Sequence, residues 1–104
     1  MEIEYGSDRV KKCCLDDRIA LSRYGVAVSK RLKKIIAILY AAKSMEDVRA
    51  IQPRTHWLQG DRHWQVSIPL AEGKSLIIEP SRKESREWAM LDSIKIIAVE
   101  NYHK

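Results

Sequence analysis

The stretch RTHWLQGDRHW, residues 54–64, contains two of the three histidines of this 104-residue chain, placed around a Gly-Asp turn signal. An imidazole suits proton transfer because its pKa lies near neutrality, and a guanidinium suits an anionic phosphate. We therefore take His56 and Arg62 as candidate catalytic residues. The second histidine of the stretch and its two tryptophans are more typical of solvent exposure or packing.

A second group of reactive side chains follows the last strand-like segment. Tyr102, His103 and Lys104 come directly after it, so the strand would hold them in place. Cleavage of RNA without a metal needs a base for the 2′-hydroxyl proton, a cation for the phosphate and an acid for the leaving 5′-oxygen. The two groups together contain these residue types. The residues alone also allow a plainer interpretation, in which the histidine and the tyrosine serve packing.

Sequence patterns in the first half of the chain predict one short strand followed by helices. EIEYG alternates as a short strand, and Ser7 is a suitable N-cap for a helix that begins near Asp8 and stops at Gly25. The run VAVSKRLKKIIAILYAAK has one apolar face at helical spacing and predicts a long amphipathic helix. SMEDVRAIQ predicts a short helix that Pro53 closes.

After Pro53 the pattern changes to strand-like alternation. THWL, WQVSIPL and SLIIE predict an antiparallel meander, residues 80–92 an irregular surface loop, and IKIIAVENY a closing strand buried on both sides. The predicted fold is therefore α+β. Two main N-terminal helices pack on an antiparallel sheet in the order β-α-α-β-β-β-β, within a single domain spanning residues 1–104.

The net charge of +5 is concentrated in residues 9–34, which carry +7. Lys30, Lys33 and Lys34 lie away from the apolar face of the long helix, and with Lys104 they are candidate RNA-binding residues. A basic patch of this kind suits a polyanionic partner, but it suits simple solubility equally well.

Several classes of function are not expected. No apolar run approaches the ~20 residues that span a bilayer, and no secretory signal opens the sequence, so we expect a cytoplasmic protein without a membrane partner. Cys13 and Cys14 are adjacent, which fits reduced thiols and lacks the spacing of a zinc site. With no Gly-rich phosphate loop either, we expect neither a metal nor a cofactor.

Four segments together resemble a HigB-type toxin, or killer protein, of the RelE/ParE superfamily. They are AAKSMEDV, THWLQGDRHWQVSI, SLIIEP and IIAVENYHK, in that order along the chain. The most specific parts are the His-x-Leu-x-Gly-Asp-Arg signature from His56 to Arg62 and an ending similar to acidic-Tyr-His at Asn101, Tyr102 and His103.

The resemblance implies a toxin that cleaves mRNA on the translating ribosome as a metal-independent endoribonuclease, or mRNA interferase. A helix-turn-helix antitoxin of the HigA type would neutralise it. The functional histidine of the family falls on His56, and its closing tyrosine and histidine fall on Tyr102 and His103. The usual aspartate is Asn101 here, and an arginine common in the family is Ser75. These departures keep two alternatives open: a non-catalytic toxin directed at a protein such as DNA gyrase, and a degenerate toxin that only binds its antitoxin.

Overall fold

The computed structural model of the protein describes residues 1–101. It contains one five-stranded sheet with a layer of helices on one face. Three predicted site residues, Tyr102, His103 and Lys104, lie outside the described residues. The helices precede most of the sheet along the chain, so the α+β class expected from the sequence is confirmed.

Three helices form the helical layer: α1 (Asp8–Leu15), α2 (Asp17–Ala41) and α3 (Met45–Ile51). The Ser7 hydroxyl accepts a hydrogen bond from the third backbone N–H of α1, as an N-cap does. The single helix predicted from Asp8 to Gly25 is instead broken at Asp16. The carboxylate of Asp16 accepts backbone N–H bonds from the first turn of α2, so a second helix begins there.

Gly25 lies inside α2 and bends it. Its φ of 83° is in the left-handed region, which glycine adopts without the steric penalty of a Cβ atom. The predicted helix end at this residue is therefore a kink. After the kink, the predicted apolar face is confirmed, because Val28, Leu32, Ile35 and Leu39 are all fully buried.

The sheet contains β1 (Glu2–Tyr5), β2 (His56–Trp57), β3 (Val66–Pro69), β4 (Lys74–Pro80) and β5 (Ser93–Asn101) in the spatial order β1-β5-β4-β3-β2. The predicted meander from β2 to β5 is confirmed as antiparallel. The prediction of a wholly antiparallel sheet is wrong, because β1 pairs with β5 in parallel. The strands from β2 to β5 follow one another through loops and 3-10 turns, which favour antiparallel neighbours, whereas three helices and three strands separate β1 from β5 along the chain and leave their relative direction free.

The hydrophobic core lies between the helical layer and one face of the sheet. On β5, Ile94 and Ile96 are buried in this core, while Lys95 between them and residues 97–100 after them are only half-buried. The predicted burial of β5 on both sides is therefore wrong, since no second layer covers the other face among the described residues. Pro80, predicted as part of the loop, instead ends β4. Residues 81–92 form the expected loop apart from one 3-10 turn, Trp88–Met90, and Leu91 anchors the loop in the core.

The two cysteines belong to the helical layer. Cys13 and Cys14 are buried free thiols on α1. Burial, with a smaller contribution from the neighbouring thiol, raises the pKa of Cys14 to about 12. Among the described residues, no helix combines the length and apolar character needed to cross a membrane.

Candidate functional site

The face of the sheet that points away from the helices, here called the outer face, carries His56, Ser67, Ser75 and Glu100. Ser67 alternates along β3 with core-facing neighbours, so it points outwards, and it is paired directly with His56 of β2. Ser75 on β4 is paired in the same way with Glu100 on β5. The sheet therefore gathers one predicted site residue and three other polar residues on one surface.

His56 begins the edge strand β2 and is half-buried. Its Nδ1–H donates a hydrogen bond of 2.8 Å to the backbone carbonyl of Arg54. A carbonyl oxygen only accepts, so the proton of a neutral ring lies on Nδ1 and Nε2 is the basic nitrogen. The backbone thus selects the tautomer and the orientation that a general base needs.

Arg62 ends a 3-10 turn, Gly60–Arg62, in the hairpin between β2 and β3. Its guanidinium donates to Gln65 Oε1 at 2.7 Å and to both carboxylate oxygens of Glu100, at 3.0 and 2.9 Å. The two side chains of this ion pair are 43% and 36% exposed, so water reaches both. The pair joins the hairpin turn to the last strand, two residues before Tyr102.

Two residues of this site, Glu100 and Lys74, escaped the sequence analysis. The resembling family has an acid at the position of Asn101, but the carboxylate that contacts the hairpin belongs to Glu100. The side chain of Asn101 instead accepts a 2.7 Å hydrogen bond from Lys74 Nζ. Strand alternation offered a signal, because adjacent residues of β5 point to opposite faces.

The predicted RNA-binding lysines lie elsewhere. Lys30, Lys33 and Lys34 are exposed on α2, in the layer on the other side of the sheet from His56. Lys33 pairs with Asp17 at 3.0 Å in an exposed contact, which contributes little to stability. The structure therefore does not bring these lysines together with the hairpin, and any RNA that met both would extend around the molecule.

A cavity of about 510 Å³ opens next to His56, between the β3–β4 turn and the segment that joins α3 to β2. Three cationic side chains, Arg49, Arg54 and Lys74, contribute to its lining. Thr55 and Ser75 also line it, and both are almost completely buried. The candidate site is thus a polar sheet face with a cationic cavity at one end.

The tryptophans pack against each other and do not line this cavity. The ring centroids of Trp57 and Trp88 are 5.2 Å apart, and Trp64 meets Trp57 edge-on at 6.3 Å. Arg86 lies over the Trp57 ring at 4.6 Å. Since Trp57 also packs against the core, these contacts support the packing role expected for it.

Within residues 1–101, no three His, Cys, Asp or Glu side chains come together as a metal site would require. No protein-family model matches this chain, and no curated protein matches it.

Proposed function

We propose that this chain is the toxin of a type II toxin–antitoxin module, with a RelE-like fold. It cleaves mRNA on the ribosome as a metal-independent endoribonuclease, and a helix-turn-helix antitoxin neutralises it. The observation that carries the proposal is the ion pair between Arg62 and Glu100. This contact joins the hairpin signature that begins at His56 to β5, the strand that precedes the Tyr-His ending in the sequence, and so supports the pairing of the two motifs in one site.

In this mechanism, His56 Nε2 accepts the proton of the 2′-hydroxyl, which then attacks the adjacent phosphate. Arg62 stabilises the anionic phosphate in the transition state. Its present partner, Glu100, is water-exposed, and such pairs contribute only about 0–1 kcal/mol, so a phosphate can replace the carboxylate. Tyr102 and His103, which lie outside the described residues, protonate the leaving 5′-oxygen or position the substrate.

The lysines of α2 have a separate role in this proposal. Lys30, Lys33 and Lys34 bind ribosomal RNA, together with Lys104, which also lies outside the described residues. Their exposure and positive charge support this role, because phosphate contacts need accessible cations. Binding to the ribosome should therefore weaken as the salt concentration rises.

The decisive experiment induces the wild type and three histidine variants in cells and maps new mRNA 5′ ends alongside growth. We expect His56→Ala and His103→Ala to reduce cleavage by about 10²- to 10⁴-fold, the usual contribution of an acid–base group. His63→Ala is the matched control, because His63 lies in the same hairpin, is exposed and bonds to the Gly60 carbonyl. It should cleave and arrest growth like the wild type.

Three results would overturn the proposal. The first is a wild type that produces no new 5′ ends, and the second is normal cleavage by both the His56→Ala and His103→Ala variants. The third is DNA damage signalling with intact mRNA, which would identify a toxin directed at DNA gyrase. If the wild type produces no new 5′ ends and is also harmless when expressed alone, the protein is a degenerate toxin.

The antitoxin is tested separately. A neighbouring reading frame that encodes a short helix-turn-helix protein should restore growth when it is expressed together with the wild type. If no such neighbour exists, or if its product leaves the growth arrest unchanged, the proposed pairing is wrong.

A further inference from the structure

A shallow apolar groove lies on the exposed side of the helical layer, between the second half of α2 and α3. Its volume is about 480 Å³. Ala37 and Ala41 line it from α2 and are exposed, and half-buried Ile38 lies between them. Ile51 lines it from α3 and is 58% exposed. A continuous apolar surface that is open to water is typical of a contact with another protein chain.

The direction of α3 places charged side chains at the two ends of this groove. At the start of α3, the backbone N–H of Lys43 donates a hydrogen bond of 3.0 Å to the carboxylate of Asp47. After the end of α3, Gln52 accepts a hydrogen bond from the guanidinium of Arg31. The helix therefore runs back along α2. Asp47 lies at the end of the groove where α2 finishes, and Lys34 lies at the other end, about two helical turns away.

The groove is negative at one end and positive at the other. Lys43 and Glu46 have opposite charges, so Asp47 leaves its end with a net charge of −1. At the other end, Lys34 is exposed. Neither Asp47 nor Lys34 forms a salt bridge with any residue in the range 1–101. Both charges are therefore available to a partner.

This surface is complementary to itself in charge and in shape. A two-fold axis through the centre of the groove exchanges its ends, so a cation at one end meets an anion at the other. Ile51 projects at the Lys34 end, whereas the small side chain of Ala41 leaves space at the Asp47 end. The same axis brings these two features together. A uniformly acidic or uniformly basic helix from another protein would instead meet a like charge at one of the two ends.

We propose that this groove is the interface of a symmetric homodimer. In the dimer, α2 of one copy lies antiparallel to α2 of the other. Lys34 of each copy pairs with Asp47 of the partner subunit, and Ile51 packs against Ala41 of the partner subunit. An isologous contact uses the same patch twice, so every favourable contact occurs twice.

The dimer is weak and leaves the outer face of the sheet open. Two helical turns from each copy bury less than the roughly 1,600 Å² of a standard interface, so association requires a high protein concentration. The contact covers Lys34, one of the lysines proposed to bind ribosomal RNA. Dimer formation and ribosome binding therefore compete for this side chain. That competition rests on the proposed function, whereas the dimer itself does not.

The first experiment measures the sedimentation velocity of the purified full chain over a range of concentrations. We expect the sedimentation coefficient to rise from that of a monomer to that of a dimer, with a dissociation constant of roughly 10–100 µM, as for a small interface. A chain that remains monomeric at about ten times that concentration would overturn the proposal.

The second experiment compares two exposed apolar residues. Ile51→Ala should raise the dissociation constant of the dimer at least about tenfold, because each dimer loses two isoleucine contacts. Val26→Ala is the matched control, since Val26 is 71% exposed on α2 but does not line the groove. It should associate like the wild type, and circular dichroism checks that both variants are folded. Equal dissociation constants for the two variants contradict the assigned interface.

Charge reversal tests the pairing of the two ends. Lys34→Glu and Asp47→Lys each bring like charges together twice in the dimer, and each should raise the dissociation constant about fivefold or more. The double variant restores opposite charges and should return to within about threefold of the wild type. Lys83→Glu makes the same change in an exposed loop and should have no effect.

A double variant that associates as weakly as the single variants would overturn the two-fold arrangement, because a purely structural role of either residue predicts no rescue. These measurements involve neither the ribosome nor RNA. Their failure therefore leaves the proposed toxin activity untouched, and a failed cleavage experiment leaves the dimer untouched.

Discussion

The two faces of the sheet differ in the polarity and hydrogen bonding of the side chains that they bury. On β3, Ile68 faces the helices inside the main core, whereas the adjacent Ser67 faces outwards and is buried without a hydrogen-bond partner among residues 1–101. The helix-facing side is lined by large apolar residues, while the outer face holds serines, a histidine and an ion pair beside one buried isoleucine, Ile77. We infer that one face supplies most of the stability, which leaves the other free to keep polar groups that stability does not require.

The largest expected effect on stability comes from a substitution on the helix-facing side of the sheet. Ile68→Ala should lower the free energy of unfolding by about 2–5 kcal/mol, because it removes buried apolar atoms and leaves a cavity in the core. Ser67→Ala, one residue away on the outer face, should change it by less than about 1 kcal/mol or increase it, since only an unsatisfied hydroxyl is lost. Urea unfolding of both variants measures the difference. Similar losses from the two substitutions would contradict the contrast between the faces.

A smaller expected effect is the loss of stability at alkaline pH caused by a buried thiol in the helical layer. Burial raises the pKa of the Cys14 thiol in the folded state to about 12, well above the usual 9.0. The unfolded chain therefore releases this proton first as the pH rises. This contribution to stability is complete below pH 9 and is lost progressively between pH 9 and about 12. Chemical unfolding at about pH 8 and about pH 10.5 should show that Cys14→Ala loses less stability than the wild type over that interval. An equal loss in the two proteins would show that the thiol is not responsible.

The smallest effect belongs to the outer face. A double-mutant cycle with Arg62→Ala and Glu100→Ala should give a coupling free energy of at most about 1 kcal/mol, because both side chains are in contact with water. The coupling should decrease further as salt is added. A value above about 2 kcal/mol would mean that the pair is a structural clamp, and a phosphate would then not displace Glu100 easily.

Local patterns predicted most of the elements because each depends on neighbours in sequence. Ser7 caps a helix through a contact three residues away, and Gly25 marks a bend because of its own backbone freedom. The break at Asp16 was missed because an aspartate inside an apparently continuous helical pattern gives a weak signal until its carboxylate caps the next helix. The parallel pairing of β1 with β5 was missed because no turn connects these two strands.

The candidate site divides in the same way. His56 and Arg62 were identified from residue type and from the resemblance, since both belong to one short motif. Glu100 and Lys74 were not, because their contacts join segments 38 and 27 residues apart. The role of Ser75 changed most. In sequence it was only the absence of an arginine, whereas in the structure it is a buried residue in the wall of a cationic cavity.

The sequence by itself determined the α+β class, the amphipathic face of α2, the meander and the reactive residue types, because these follow from periodicity, capping and side-chain chemistry over short distances. Only the tertiary structure decided the mixed sheet, the partner of Arg62 and the cavity beside His56. These features depend on strand order and on which side chains alternation brings to the same face. They arise only when distant segments pack together, so no local pattern contains them.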